Sequence, residues 1–358
     1  MNQKYASIVS SITIHKLVVH IVFLVVSVAL SDFFTQHRFS ANVALGELPT
    51  VGNPLDFTPS CARAAGCDAP LVHAPPFQYG VLVPTIIGWI QDLSLRLTPL
   101  YGVPPVPGFH YVEVLSVFIL LVVFRYYVSQ FFMSEVTSSV LCIFMFYALV
   151  SLFILPRVLP LTYAIWFPWD VPSMVFFTIG LVLLYKRKLW PYYVLFAIAA
   201  MNKQTAVFLA VVYLFTSIGE KSPKSIMFHF ILQIAIWMAI LYAQFQVGSG
   251  NPFAMSLFDA SKLRANAAFL TSLSNLPFLF SAFGYLWIPA VVFLSVIRNR
   301  FVKRSMFAIV PYTALVMLAG DVSELRIYAD MAPVILIAFF HVLKELAKNT
   351  AVAGSGES

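Results

Sequence analysis

The sequence predicts an all-α fold that crosses a membrane many times, and two observations carry that expectation. Of the 358 residues, 60% are hydrophobic and only 10% are charged, against roughly 25% charged in an average soluble domain. The apolar residues also come in runs, at 17–30, 111–124, 171–185 and 226–243, approaching the ~20 residues a helix needs to span hydrocarbon. A soluble fold has no interior large enough for so much apolar surface. A closed β-barrel is excluded, because its strands alternate polar and apolar over ~10 residues.

The net charge of +7 does not gather into the basic stripe that tracks nucleic acid, so nucleic acid is not an expected partner. The lysines and arginines stand instead at the ends of apolar runs, where they report orientation. Taken in order they predict about eight full spans in one transmembrane domain, 1–349, with both termini cytoplasmic. Lys4 and Lys16 precede the first span, 17–31. Ser31-Asp32-Phe33-Phe34 offers no small-residue cleavage site, so that span is a retained anchor rather than a signal peptide.

The stretch 32–108, rich in Pro, Gly and Asp, is the expected external loop. Within it, Leu82, Val83, Ile86, Ile87, Ile90, Leu93 and Leu97 recur at helical spacing, while Gln91, Asp92 and Arg96 interrupt the other face. The segment 79–97 therefore reads as a helix lying at the interface. A full span there would place Lys186-Arg187-Lys188 outside. Spans at 109–128 and 134–155 form a return pair, and 164–185 brings the chain back in at Lys186.

Segment 189–220 is bounded by basic residues at both ends and is too short for two spans. Its centre reads Met201-Asn202-Lys203-Gln204-Thr205, which predicts a broken re-entrant hairpin with a polar tip lining a cavity. Spans at 226–246, 276–297, 304–320 and 331–346 follow, their cytoplasmic ends marked by Arg298, Arg300, Lys303, Arg304, Lys344 and Lys348. The tail 350–358 is small and polar and is expected to be disordered. No internal repeat is apparent.

Cys142 lies in an apolar run and is expected to act as a small hydrophobe. Cys61 and Cys67 bracket a polar stretch of the external loop, and two readings stay open for them, a local disulfide and two unpaired thiols. Zinc is disfavoured there, since His73 is the only third ligand nearby; whether any divalent metal is needed stays open.

Several polar residues are candidates for chemistry. Asp32 closes the first span, where a carboxylate can serve as general base toward a hydroxyl, or simply end a helix in water. His73-Ala74-Pro75-Pro76-Phe77-Gln78 stiffens the approach to the interfacial helix. Trp169-Asp170-Val171-Pro172 opens a span, with Asp170 suited to the helix cap. Lys203 lies between apolar arms and needs an anionic partner. Arg326, in Glu324-Leu325-Arg326-Ile327-Tyr328, can grip a phosphate through its planar fork, or pair at the surface with Glu324 or Asp330. An anionic lipid headgroup suits such a set.

The order of these features resembles the GT-C superfamily of polytopic glycosyltransferases, which use polyprenyl-phosphate sugars. The resemblance covers most of the chain and rests on short motifs: Asp32 after the first span, Pro75-Pro76-Phe77-Gln78-Tyr79 before the interfacial helix, Trp169-Asp170-Val171-Pro172-Ser173, Asn202-Lys203-Gln204-Thr205 and the Glu324 to Tyr328 stretch. It implies inverting transfer of a sugar from a polyprenyl-phosphate donor to a glycan, lipid or protein acceptor on the external side, with no certain cofactor. Asp32 would be the catalytic base and Lys203 and Arg326 the donor-phosphate ligands, supported by Glu324, Tyr328, Gln204, Asn202, His73, Gln78 and Asp170. It also implies a bacterial inner membrane, or alternatively the endoplasmic reticulum. Many members carry paired acids in the first loop, whereas Asp32 is followed by two phenylalanines, and Gln204 stands where a hairpin acid is expected. The rival expectations are a lipid or solute transporter or flippase, and a non-catalytic lipid-binding membrane subunit.

Overall fold

The computed structural model describes residues 15–32, 82–83, 85–90, 93, 108–132, 134–154, 169–247 and 260–354. Cys61, Cys67, His73 and Gln78 lie outside the described residues. All regular structure among the described residues is helical. In hydrocarbon no water competes for backbone groups, so each apolar run satisfies its own N–H and C=O groups as a helix.

Six helices among the described residues are long and apolar enough to cross a membrane, and the protein is an integral membrane protein. In chain order the principal helices are α1 (His15–Asp32), α2 (Gly108–Ser129), α3 (Glu135–Phe153), α4 (Asp170–Tyr185), α5 (Leu189–Asn202), α6 (Val207–Ser217), α7 (Pro223–Val247), α8 (Ala260–Thr271), α9 (Arg300–Ala319) and α10 (Ala332–Gly354). The outward faces of α1 and α7 are apolar, with Val25 on α1 and Phe228, Ile231 and Tyr242 on α7 all exposed. Apolar surface of that extent is tolerable only against lipid.

Ion pairs gather the basic residues at one end of the bundle. Glu135 takes Lys16 at 3.1 Å and Arg125 at 3.6 Å, Lys186 meets the Tyr126 hydroxyl, Arg187 pairs with Glu220, and Arg298 lies 3.2 Å from Glu345. Ser134 caps α3 by accepting from Thr137 N, and Asn299 caps α9 by accepting from Val302 N.

Most of the core is one large apolar cluster threaded by α10, whose residues Ala332 and Val334 to Phe340 are all buried. α2 packs on α4, α4 on α5, and α7 lies against both α5 and α6. The helix spacing is close where Gly180 of α4 faces Leu209 of α6; a Cβ on Gly180 would stand 2.7 Å from the Leu209 side chain. Small residues permit such approach between membrane helices.

Segment 276–297 departs from the expected continuous span. It is four short pieces, Leu276–Phe280, Ala282–Tyr285, Trp287–Val292 and Leu294–Val296. The break is a left-handed corner at Phe283, Gly284 and Tyr285, with φ of 55°, 61° and 66°. Tyr147 of α3 fills the space above it, so that a Cβ on Gly284 would fall 2.0 Å from the ring. Apolar composition reports burial but not backbone handedness, which is why the run resembles a span.

Between α1 and α2, the described turn at 85–90 is helical. Val83 and Ile87 bury against Val112 of α2 and Trp169, while Trp89 stays 70% exposed. The last helix continues to Gly354, into the tail expected to be disordered.

Candidate functional site

The polar residues collect at the end of the bundle opposite the basic cluster, and the hairpin between α5 and α6 carries one of them there. The 14 residues of α5 rise about 21 Å, less than the ~30 Å of hydrocarbon. Lys203 then takes an extended conformation (φ −155°, ψ 138°), a 3-10 turn covers Gln204–Ala206, and α6 returns. Tyr192 on α5 bonds Gln233, and the Tyr213 ring on α6 meets the His229 ring edge-on, so both arms descend along the same part of α7.

Such a break orphans backbone carbonyls, and three side chains fasten the tip. Gln244 Nε2 of α7 donates to Met201 O at 3.0 Å, and Trp237 Nε1 of α7 donates to Gln204 O at 3.0 Å. Asn202 Nδ2 donates to Trp169 O at 3.1 Å, tying the tip to the start of α4.

Lys203 finds its anionic partners there. Its Nζ lies 2.9 Å from Asp170 Oδ1 and 3.8 Å from Asp330 Oδ2, and Thr205 Oγ1 donates to the same Asp330 oxygen. The other oxygen of Asp170 accepts from Arg326 Nη1 at 3.2 Å, while Arg326 Nη2 reaches Glu324 Oε2 at 2.6 Å. Asp170 is thus the first helical residue of α4, after Trp169, and its carboxylate bridges two cations rather than capping the helix as expected.

Arg326 and Asp330 stand on the 3-10 helix Leu325–Met331 that leads into α10. This turn abuts both α4 and the π-helical turn Val150–Ile154 at the end of α3. Tyr312 of α9 donates to Ile327 O, and the Tyr328 ring stands 6.4 Å from the Tyr312 ring.

The cluster is buried rather than a surface pair. Asp170 and Asp330 are fully enclosed, the side chains of Lys203 and Arg326 are 15% and 11% exposed, and Glu324 at 29% is the most open member. Among the described residues it sets two cations against three contacting carboxylates, so a phosphate at Arg326 must compete with a carboxylate already there. Glu324 lies in the turn before the 3-10 helix, and burial raises its carboxyl above the ordinary glutamate value although Arg326 pulls it down. Asn202 Oδ1, Gln204 Nε2 and Asp330 Oδ1 are buried polar atoms around the tip without a hydrogen-bond partner among the described residues.

Asp32 belongs to a second polar group at the same end. Its carboxylate is 55% exposed and lies 3.6 Å from His110 Nε2. His110 Nδ1 is 3.1 Å from Ser31 Oγ, which also lies 3.4 Å from Glu113 Oε2. Val112, next to Glu113, and Trp169, next to Asp170, share one apolar cluster. Among the described residues, no three His, Cys, Asp or Glu side chains gather as a metal site.

Lys203, Arg326, Asp170 and Glu324 are therefore brought together, Asn202 helps fasten the tip, Gln204 offers it only a backbone carbonyl, Tyr328 flanks the cluster, and Asp32 belongs to the separate group with His110. Sequence reasoning missed Glu113, His110 and the anchoring pair Trp237 and Gln244. Glu113 and Gln244 were findable as polar residues inside otherwise apolar helices. No protein-family model, curated protein or solved structure matches the chain.

Proposed function

We propose that the protein is a membrane glycosyltransferase that moves a sugar from a polyprenyl-phosphate donor to an acceptor hydroxyl outside the cytoplasm. The observation that carries this reading is the convergence of Lys203, from the hairpin tip, and Arg326, from the approach to α10, on the one carboxylate of Asp170. Ionisable side chains at such depth are expensive and mark functional sites. Non-helical backbone is tolerated there only inside protein or against a wet cavity.

In this reading Asp32 takes the proton of the acceptor hydroxyl. The acceptor oxygen forms its bond to the anomeric carbon from the face opposite the phosphate, and the bond from that carbon to the phosphate oxygen breaks. The electron pair departs with the lipid phosphate, and the configuration inverts. Arg326 and Lys203 stabilise the charge that grows on the leaving oxygen. In this reading the basic end of the bundle is the cytoplasmic one, and the site belongs to the external leaflet of a bacterial inner membrane or the lumenal leaflet of the endoplasmic reticulum.

Purified protein in lipid nanodiscs, given a polyprenyl-phosphate sugar and a panel of lipid, glycan and peptide acceptors, tests the reading. Transfer by the wild type and its loss in Asp32→Asn at unchanged thermal stability is the expected result. Lipid scrambling across vesicles without sugar transfer would assign the cluster to a flippase instead.

A further inference from the structure

We propose that Glu324 is a displaceable counterion that occupies the phosphate seat on Arg326 and leaves it when a phosphate-bearing lipid arrives. The inference deepens the phosphate-lipid reading above and rests on it. Arg326 divides its fork between two carboxylates of unequal standing. Asp170 is fully buried and is held from its other oxygen by Lys203 at 2.9 Å, so it cannot leave without taking the nearest anion from a buried lysine. Glu324 is the most exposed of the three carboxylates, and its only ion pair among the described residues is Arg326 at 2.6 Å.

The backbone around Glu324 holds while its side chain swings. Glu324 N bonds Asp321 O at 3.1 Å, Ile327 N bonds Glu324 O at 2.9 Å, and Asn266 of α8 braces the turn through Gly320 O and Val322 N. Rotation about the side chain alone therefore vacates Nη2 of Arg326 without remodelling the turn. A phosphate oxygen replaces one charge-assisted hydrogen bond with another of the same kind, and the surplus carboxylate leaves for water. The arrangement keeps the buried guanidinium neutralised between turnovers and makes it selective for an anion strong enough to evict a carboxylate.

The test is equilibrium binding of a short-chain polyprenyl phosphate to the full-length protein in nanodiscs, with inorganic phosphate as a parallel arm. Glu324→Gln should bind the lipid phosphate about tenfold tighter than wild type, since one charge-assisted bond no longer has to be broken. Arg326→Gln should lose binding. In the transfer assay Glu324→Gln should lower both KM for the donor and kcat, because the product lipid phosphate leaves slowly. Unchanged or weaker binding by Glu324→Gln, with binding still lost in Arg326→Gln, overturns the counterion role and leaves the phosphate reading standing. Wild-type binding by Arg326→Gln sinks both. An equal gain for inorganic phosphate supports the counterion but assigns the seat to a soluble anion. If Glu324→Gln does not fold, Glu324→Ala must show the same gain.

Discussion

Lys203 and Asp170 meet at 2.9 Å across a gap of 33 positions that includes a whole helix and a chain reversal. The contact joins the tip of the α5–α6 hairpin to the first residue of α4, and Arg326 then takes the second oxygen of the same carboxylate.

Removing that carboxylate takes from Lys203 its nearest anion and from Arg326 the buried one. Asp170→Asn is expected to destabilise the protein by about 3–5 kcal/mol, the usual cost of breaking a buried pair from one side. Adding Lys203→Met should recover part of the loss, because a buried lysine left with only the longer contact to Asp330 among the described residues is gone. Thermal unfolding of the single and double variants in detergent checks this, and a double variant no better than Asp170→Asn would mean that the two side chains are not coupled.

The tip is held by two side chains of α7, and each should contribute modestly. Trp237→Phe and Gln244→Leu each remove one hydrogen bond to a carbonyl of the break. A loss of about 0.6–1.7 kcal/mol apiece is expected for bonds between membrane helices. Hydrogen exchange should rise locally at residues 201–205, and an increase spread evenly over α5 and α6 would argue against a local fastening.

Gly284→Ala should be costly for two separable reasons. The residue holds φ at +61°, which costs a residue with a side chain about 1–2 kcal/mol. The added Cβ also strikes the Tyr147 ring, a further overpacking cost of about 1–3 kcal/mol. Combining it with Tyr147→Ala should relieve the second term only, which a double-mutant cycle reads directly.

Glu324 gives a pH dependence whose sign follows from its surroundings. Burial raises its carboxyl above the ordinary 4.5; Arg326 and Lys203 oppose the rise, and Asp321 and Asp170 add to it. A raised native value means the folded chain holds the proton more tightly, so the stabilising term is complete below 4.5 and is lost as pH climbs through the native value. The melting temperature of Glu324→Gln relative to wild type should therefore increase from about pH 4 to about pH 8. A constant difference across that range would show that Glu324 titrates normally.

Much of the helical frame was legible because composition and charge speak locally: apolar runs gave the helices, and the charges at their ends foretold the basic cluster. The hairpin tip was legible for the same reason, since a lysine between two amides inside an apolar stretch has no ordinary explanation. The partners of that lysine were not. Asp170 looked like a helix cap, and Asp330 like a surface partner of Arg326, because each motif carries a sufficient local meaning. Only the fold sets them 2.9 Å and 3.8 Å from Lys203. The left-handed corner at 283–285 was invisible for a related reason, as Phe and Tyr give no warning of positive φ.

Among the described helices, the innermost follows all the others in the chain. α10 fills the centre of the bundle, and the turn before it delivers Arg326 and Asp330 to a cluster whose other halves sit on α4 and the hairpin. During synthesis Asp170 and Lys203 are therefore in place before α10 brings Arg326 and Asp330 to them. Assembly of this protein is thus expected to be a late, concerted event. A chain stopped ahead of Leu325 should be recognised by the cell's quality control as unfinished however many helices it has already inserted, and pulse-chase turnover of such a truncation reads this out.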